Sequence, residues 1–197
     1  MRIRMIYLAA GSSRRFGENK LLYPLEGKPL YRHGLDTLTE VLQKREETLL
    51  TVVSRYDEIL NYAEVVLGKS GGRITAVNSP ESEGGISYSV RAGLRGAEDC
   101  DYYLFFVADQ PYIKTDTVLR LIDTVTGKKA SGGYICAGER SGNPAMFSKE
   151  LLPELEKLTG DRGGKRILTE IEKREKDAVC RIEAGNPREL EDVDEPL

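Results

Sequence analysis

The sequence lacks tryptophan and has only one histidine and three cysteines. Cys100, Cys136 and Cys180 are isolated, odd in number and without metal-ligand spacing, which argues against a zinc site or a disulfide framework. A reducing, cytoplasmic compartment fits this cysteine usage best. His33 lies within a helical pattern, and we interpret it as a packing or surface residue. The chemistry of this chain is therefore expected to use other side chains.

Long apolar runs and a strong charge imbalance are also absent. No stretch approaches the roughly 20 apolar residues that span a bilayer. The apolar stretch at the N-terminus is too short for a signal peptide, so we take Met1 as the genuine start. With 29 basic and 32 acidic residues, the net charge is only −3. We therefore expect neither a nucleic-acid partner nor a membrane partner.

The length of 197 residues suits a single domain spanning residues 1–197. Apolar β-rich runs alternate along it with helical periodicity. Strands are predicted at 3–9, 48–54, 74–77, 102–108, 132–138, 144–147 and 178–182, and helices near 30–42, 59–67, 85–94, 115–125, 148–158 and 165–173. This alternation predicts an α/β three-layer sandwich around a mostly parallel sheet. Ligands of such sheets bind at the carboxyl ends of the strands, here after residues 8, 77, 107 and 137.

The loop after the first strand reads "AAGSSRRFGENK". Its small residues let the backbone approach an anion, and consecutive N–H groups can surround one. The candidate phosphate-binding residues are Ala9, Ala10, Gly11, Ser12, Ser13, Arg15 and Lys20. A solvated loop with scattered charges is the alternative, and we weigh phosphate binding as the better interpretation. "AEVVLGKS" lacks the leading glycine of a P-loop, and "GSSRRFG" is not a dinucleotide-binding motif.

Carboxylates follow the strongest predicted strand and recur near the C-terminus. Asp109, in "ADQP", is a turn residue or, beside a phosphate-binding loop, a Mg²⁺ ligand, because Mg²⁺ uses one or two carboxylates plus substrate phosphates. Asp192 and Asp194, in "EDVDEP", offer a second carboxylate source. Composition alone favours an acidic solvated tail there equally.

Two further segments have the composition of acceptor-binding loops. "SGNPAMF" places Gly142, Asn143 and Pro144 at the start of a strand. "GDRGGKR" places Asp161 and Gly163 before a helix. Taken singly, a turn or a helix cap is the more frequent role of such residues.

Together these motifs resemble the nucleotidyltransferases that mature the molybdenum cofactor, most closely the cytidylyltransferase branch. The N-terminal motif of this family has the form L-A-A-G-x-S-x-R-[MF]-G-x-x-K, and residues 8–20 match it. "GISYSVRAGL" resembles the family's base- and ribose-contacting segment, and "ADQP", "GNP" and "DVDEP" also have family counterparts. "GDRGGKRIL" differs from the family's G-D-x-G-A-R at Gly164 and Lys165. The chain stops at Leu197, earlier than is usual in this family.

The resemblance implies a Rossmann-like nucleotidyltransferase (nucleotide-diphospho-sugar transferase) fold. It also implies transfer of a nucleoside monophosphate from an NTP to a phosphate-bearing acceptor, with release of pyrophosphate. "LAAG" and "ADQP" favour CTP and the molybdopterin form of the cofactor over the guanylyl branch, which tends to "LAGG" and "TDMP".

The same resemblance distributes roles among the residues. Arg15, Lys20 and Asp109 would be catalytic, and Asp109 and Asp194 would hold Mg²⁺. The loop residues above would bind the nucleotide together with Gly85, Ser87 and Ser89. The acceptor would contact Gly142, Asn143, Pro144, Asp161 and Gly163.

Three alternatives stay open at this stage. The enzyme could use GTP, or it could act on another small phosphorylated acceptor such as a sugar phosphate. It could also be a non-catalytic nucleotide-binding factor that assists molybdoenzyme maturation. A molybdoenzyme or its maturation factor is the macromolecular partner that the resemblance suggests.

Overall fold

The computed structural model describes residues 1–11, 19–67 and 69–194. Its strands are β1 Ile3–Ala9, β2 Pro24–Leu25, β3 Lys28–Pro29, β4 Thr48–Ser54, β5 Ile74–Asn78, β6 Tyr102–Val107, β7 Gly132–Ala137, β8 Arg140–Ser148 and β9 Val179–Glu183. Its α-helices are α1 Leu30–Lys44, α2 Asp57–Leu67, α3 Ile86–Leu94, α4 Thr115–Lys128, α5 Leu152–Glu156 and α6 Lys165–Arg174. Within these ranges, no helix is long and apolar enough to cross a membrane.

One sheet organises the described part of the chain. Its seven strands run in the order β5-β4-β1-β6-β8-β7-β9, and β2 and β3 form a separate small hairpin. Strand β8 is antiparallel to both of its neighbours, whereas the other neighbouring strands are parallel. The predicted mostly parallel sheet is thus confirmed, and β1, which pairs with β4 and β6, lies inside it.

Helices cover both faces of this sheet. Met5 and Tyr7 of β1 belong to the core layer formed with α1, α2 and α4, while Ile6 and Leu8 belong to the layer formed with α3, α5 and α6. Because alternate side chains of β1 enter different layers, both faces of the strand must be apolar, as its sequence is. The three-layer sandwich is confirmed.

Helix α3 approaches the sheet especially closely at Gly93. A Cβ on this glycine would lie 2.3 Å from Cγ2 of Ile6, so a side chain cannot fit there without displacing the helix or the strand. The close approach fixes α3 against β1 and carries its first turn, with Ser87 and Ser89, to the carboxyl edge of the sheet.

The predicted helix at 148–158 is wrong in its extent. A 3-10 turn occupies Lys149–Leu151, and the α-helix covers only Leu152–Glu156. Pro153 explains the difference, because proline fits the first turn of an α-helix but disrupts its interior. A helix that started at residue 148 would have placed this proline beyond its first turn.

Candidate functional site

The carboxyl ends of β1 and β6 open into a cavity of about 570 Å³. Ala10 and Gly11, after β1, form part of its wall, and Ala108 and Asp109, after β6, form another part. Parallel neighbouring strands bring these two loops to the same edge. The cavity therefore lies where the sheet topology predicts a ligand.

Three charged groups meet inside this first cavity. Nζ of Lys20 lies 2.9 Å from Oδ2 of Asp109 and 3.1 Å from Oδ1 of Asp194. The side chain of Lys20 is only 14% exposed. Burial alone would lower the pKa of Lys20, but the charges and hydrogen bonds of Asp109 and Asp194 outweigh it and raise the pKa. The ammonium is therefore charged and lies between the two carboxylates.

Local structure holds Lys20 at this position. It begins a 3-10 turn, Lys20–Leu22, whose preceding residue Asn19 accepts a hydrogen bond from N of Leu21 at its Oδ1, at 3.1 Å. Leu21 is buried in the core. A capped turn with a buried anchor directs the lysine toward the cavity.

Three hydrogen bonds dock residues 186–194 onto the segment that follows β6. N of Val193 donates to O of Asp109 at 3.0 Å. Nε2 of Gln110 donates to Oδ1 of Asp192 at 2.6 Å, and N of Lys114 donates to Oε2 of the buried Glu189 at 3.1 Å. The segment is therefore packed against the site through Val193 and Glu189, while its acids Glu191, Asp192 and Asp194 are exposed.

Asp192 is exposed and lines the second cavity together with Asp109. Partial burial raises the pKa of Asp192, and the negative charges of Asp109 and Asp194 raise it further. The hydrogen bond from Gln110 lowers this pKa but does not outweigh the other effects. Asp109, Asp192 and Asp194 thus form a concentrated negative region at the edge of the sheet. A region of this kind favours cations.

Gly85 joins the beginning of α3 to a loop far along the chain. Its φ is +128°, and a Cβ would lie 2.6 Å from the carbonyl oxygen of Gly160 and 2.9 Å from Oδ1 of Asp161. The backbone N of Ser87 donates to this same carbonyl at 3.1 Å. Glycine is needed here, and the contact places Asp161 in the wall of the first cavity.

A chain of serine hydroxyls forms part of the wall of the first cavity. Oγ of Ser89 is 2.7 Å from Oγ of Ser82, which is 2.8 Å from Oγ of Ser79. Ser82 and Ser89 line the cavity. Oγ of Ser87 is buried and has no hydrogen-bond partner within the described ranges. These hydroxyls can donate to or accept from a polar ligand.

A second cavity of about 410 Å³ adjoins the first and shares Asp109 and Val107 with it. The apolar residues around it include Phe105, Phe147 and Leu155, which are almost fully buried. Its polar lining residues are Asp109, Gln110, Arg140, Ser141, Asn143, Lys165 and Asp192. An apolar pocket with a few placed polar groups is typical of small-molecule sites.

Most of the predicted site residues of the described ranges are gathered at these two cavities. The first is lined by Ala10, Gly11, Lys20, Gly85, Ser89, Asp109, Asp161 and Asp194. The second is lined by Gly142, Asn143 and Gly163. Asp161, expected on the acceptor side, therefore lies in the wall of the first cavity.

The remaining predicted site residues do not line either cavity or are not described by the structure. Ala9 and Ser87 are buried beside the first cavity without lining it, and Pro144, which follows Asn143 through a cis peptide bond, is buried next to the second. Ser12, Ser13 and Arg15 lie outside the described residues.

Several lining residues were not predicted from the sequence. They are Ser82 and Glu83 in the first cavity and Gln110, Arg140 and Lys165 in the second. Arg140 and Lys165 flank the "GNP" and "GDRGG" segments, and this proximity was the available signal. Gln110 belongs to the "ADQP" motif beside Asp109, whereas Ser82 and Glu83 stand in a turn whose composition does not distinguish them from surface residues.

Fold and site together define an α/β protein with two adjoining cavities at the sheet edge, where two carboxylates hold the ammonium of Lys20. The family model for the MobA-like NTP transferase domain matches residues 5–177. The chain belongs to this family, and the predicted resemblance is confirmed at that level.

Two curated proteins are similar to this chain in sequence. The purine catabolism protein PucB of Bacillus subtilis is 30% identical over 195 residues, covering 97% of this chain and 91% of the relative. A molybdenum cofactor guanylyltransferase of Shewanella halifaxensis is 26% identical over 168 residues, covering 82% of this chain and 75% of the relative. The chain is therefore similar to these proteins over most of its length.

Two solved structures share the fold. A nucleotidyl transferase from Methanothermobacter thermautotrophicus superposes with a TM-score of 0.74 at 21% identity, covering 98% of this chain and 92% of the other. Rv0371c of Mycobacterium tuberculosis, solved in complex with manganese, superposes with a TM-score of 0.62 at 20% identity, covering 93% and 89%. The Rossmann-like nucleotidyltransferase fold is thereby confirmed, and the protein is a nucleotidyltransferase of the MobA-like family.

Proposed function

We propose that this protein, as a single domain over residues 1–197, is a Mg²⁺-dependent nucleotidyltransferase that moves a nucleoside monophosphate from an NTP to a phosphate-bearing acceptor. The observation that carries this proposal is the meeting of the two cavities at Asp109. A nucleotide in the first cavity and an acceptor in the second would have their reacting groups at the shared wall. Proximity of this kind removes much of the entropic barrier to a reaction between two substrates.

The carboxylates fit a divalent cation. Oδ2 of Asp109 and Oδ1 of Asp194 already converge on one cationic atom, Nζ of Lys20. Within the described ranges no group of three or more potential metal-ligating side chains occurs, so a metal here would complete its shell with phosphate oxygens and water. This is the usual arrangement for Mg²⁺. The manganese bound to Rv0371c also supports a divalent cation.

Bound Mg²⁺ would neutralise the triphosphate and polarise the α-phosphate. Lys20, and Arg15 from the loop, would hold the charge that develops on the transferred group and on pyrophosphate. An oxygen of the acceptor phosphate forms the new bond to the α-phosphorus while the bond to the bridging oxygen breaks, and pyrophosphate leaves. The attacking oxygen is anionic near neutral pH, so the reaction needs no general base. His33 accordingly lies elsewhere, with Nε2 2.9 Å from the carbonyl oxygen of Leu25.

We propose CTP as the nucleotide. We propose the molybdopterin form of the molybdenum cofactor as the acceptor. The sequence elements "LAAG" and "ADQP" support both, because they favour the cytidylyltransferase branch of the resemblance, and the second cavity of about 410 Å³ supplies volume for an acceptor. A molybdoenzyme or its maturation factor is the proposed partner.

A guanylyltransferase among the relatives makes GTP the specific second candidate. A thermal-shift series of CTP, GTP, ATP and UTP with Mg²⁺ separates these possibilities, since a ligand that binds the native state raises the melting temperature. We expect the largest shift with CTP. A larger shift with GTP would contradict the nucleotide assignment.

Pyrophosphate release in the presence of Mg²⁺, CTP and a molybdopterin acceptor tests the reaction itself. We expect release from the wild type and none from Asp109→Asn, with Asp123→Asn on the exposed face of α4 as the charge-matched control. Binding of nucleotide without release, for every combination of NTP and acceptor, would instead identify a non-catalytic nucleotide-binding factor.

A further inference from the structure

Glu189 is a buried carboxylate that the proposed reaction does not use. It belongs to the docked segment, which comprises residues 186–194, and it is only 1% exposed. It lines neither of the two cavities. In the described ranges its carboxylate forms no ion pair, whereas the neighbouring Glu191 pairs with Arg188. Because removing a carboxylate from water is costly unless hydrogen bonds compensate it, the contacts of Glu189 show what its burial achieves.

Two backbone N–H groups compensate this carboxylate, one at each oxygen. N of Lys114, the residue before α4, donates to Oε2 at 3.1 Å. N of Asn186, at the start of the docked segment, donates to Oε1 at 3.0 Å. Both oxygens are needed as acceptors, because an amide in the same place would turn its NH₂ group toward one of these donors. Glu189 therefore joins the docked segment to the loop between β6 and α4.

The turn that carries Glu189 is also held by local contacts. Residues Pro187–Leu190 form a 3-10 turn, and Oδ1 of Asn186 accepts a hydrogen bond from N of Arg188 at 2.9 Å. Together with the bond from N of Asn186 to the glutamate, this is a capping box. Leu190 packs so closely on β8 that a Cβ on Gly142 would lie 2.6 Å from its Cδ2. The docked segment is thus anchored at its beginning.

The anchored backbone leads to Asp194. N of Val193 donates to the carbonyl oxygen of Asp109 at 3.0 Å, which places Asp194 next to Asp109. The side chain of Asp194 is 65% exposed, so packing around it does not fix its position. Its carboxylate nevertheless reaches the same atom as that of Asp109, Nζ of Lys20. The convergence of the two carboxylates therefore depends on the backbone that Glu189 anchors.

We infer that Glu189 is a positioning residue, which holds Asp194 beside Asp109 so that both carboxylates can bind one divalent cation. This inference rests on the proposed function, in which these two carboxylates hold Mg²⁺. Glu189 acts through the backbone of the docked segment, since it lines neither cavity. Mg²⁺ tolerates little departure from its preferred coordination geometry, so a small displacement of one ligand weakens binding. Residues that orient metal ligands typically change metal affinity by about 10- to 100-fold.

Titration of the full chain with Mn²⁺ in the absence of nucleotide tests this role. Electron paramagnetic resonance of free Mn²⁺ gives both the affinity and the number of sites. We expect Glu189→Gln to weaken Mn²⁺ binding by about 10-fold or more at an unchanged number of sites, because one backbone N–H loses its acceptor. Glu189→Asp keeps the charge but shortens the side chain, and we expect a similar loss. This second variant separates position from charge.

Glu191→Gln is the matched control, because it removes the same charge from an exposed residue of the same segment. It should bind Mn²⁺ like the wild type. The comparison is repeated in Lys20→Met, where no ammonium competes with the metal, and should give the same ratio of affinities. In pyrophosphate release, Glu189→Gln should need more Mg²⁺ for its half-maximal rate, while its rate at saturating Mg²⁺ is much less affected.

Equal Mn²⁺ affinities in the wild type and in Glu189→Gln would overturn the inference, as would an equal loss in Glu191→Gln. Fewer sites with wild-type affinity would indicate a purely structural role and would overturn it as well. The proposed function fails in a different way. Absence of Mn²⁺ binding in both the wild type and Lys20→Met would refute its metal dependence, whereas Mn²⁺ binding that is insensitive to Glu189→Gln would refute this inference alone.

Discussion

Nζ of Lys20 lies 2.9 Å from Oδ2 of Asp109, so a residue expected to hold phosphates contacts a residue expected to hold a metal. Asp194 completes the contact from the other side, at 3.1 Å. In this arrangement the ammonium stands where a divalent cation would be bound. In the proposed function, nucleotide phosphates would draw the ammonium away from the two carboxylates, and these would then be available to a metal.

The first prediction concerns Lys20→Met. Removing the ammonium frees Asp109 and Asp194, so we expect Mn²⁺ to bind more tightly in the absence of nucleotide, while CTP binds more weakly. Electron paramagnetic resonance of free Mn²⁺ measures the metal affinity, and calorimetry measures the nucleotide affinity. Turnover should fall by about 10²-fold, the scale of losing one preorganised donor.

Lys28→Met is the control for this variant, because Lys28 also pairs with an aspartate, Asp36, but does so outside the first cavity. It should leave both affinities unchanged. If Mn²⁺ binds Lys20→Met and the wild type equally, the ammonium does not compete with the metal.

The contact between Lys20 and the carboxylates could not be predicted from local sequence. The partners are 89 and 174 residues away, and their meeting depends on the order of strands in the sheet and on the docking of residues 186–194. The strands themselves were predictable, since apolar runs such as Ile3–Ala9 and Thr48–Ser54 match the observed bounds. The antiparallel direction of β8 was not, because pairing between distant segments decides it.

The location of the site was predictable from the sequence, but some of its lining residues were not. The rule that ligands bind at the carboxyl ends of parallel strands located Gly11 and Asp109, which line the first cavity. Arg140 and Lys165 flank two segments that the sequence singles out, but their contacts with the carbonyl oxygens of Leu190 and Ser141 join distant parts of the chain and could not be predicted locally.

The second prediction separates the two adjacent arginines of "SSRRFG", which lie outside the described residues. Arg15 stands at the fixed arginine of the family motif, and Arg14 stands at a variable position. We expect Arg15→Ala to lower turnover by about 10²-fold or more and Arg14→Ala to leave it nearly unchanged. Steady-state pyrophosphate release measures both. Equal losses in the two variants would mean that the loop acts through its total charge.

The third prediction concerns the packing of α3 on the sheet. Gly93→Ala would place a methyl group 2.3 Å from Cγ2 of Ile6, and we expect it to lower the free energy of unfolding by about 1–3 kcal/mol through overpacking. Gly127→Ala is the matched control in α4, where nothing lies within 4 Å of the added Cβ. It should raise stability by up to about 1 kcal/mol through helix propensity.

Urea unfolding monitored by circular dichroism measures both alanine variants. Similar free energies for Gly93→Ala and Gly127→Ala would contradict the close contact between α3 and β1. Loss of CTP binding in a folded Gly93→Ala variant would in addition connect this contact to the position of Ser89 at the cavity.

The fourth prediction concerns pH. The backbone N of Arg2 donates to Oδ2 of Asp101 at 2.8 Å, and this hydrogen bond, with the charges of Lys149 and the N-terminus, lowers the pKa of Asp101. The native state therefore prefers the ionised carboxylate more than the unfolded state does, and the resulting stability is present above the unfolded pKa of about 3.9. It is lost as the pH falls through the lower native pKa.

Asp101→Asn removes this ionisation while keeping the size of the side chain. We expect the variant to be less stable than the wild type at pH 7 and the difference to shrink as the pH falls below 4, because the wild-type carboxyl then becomes protonated as well. Asp99→Asn provides the same change of charge at an exposed neighbour, 89% accessible. Urea unfolding of the three proteins between pH 7 and pH 2.5 measures the effect, and a stability difference for Asp101→Asn that stays constant over this range would show that the hydrogen bond does not depend on the charge of the carboxylate.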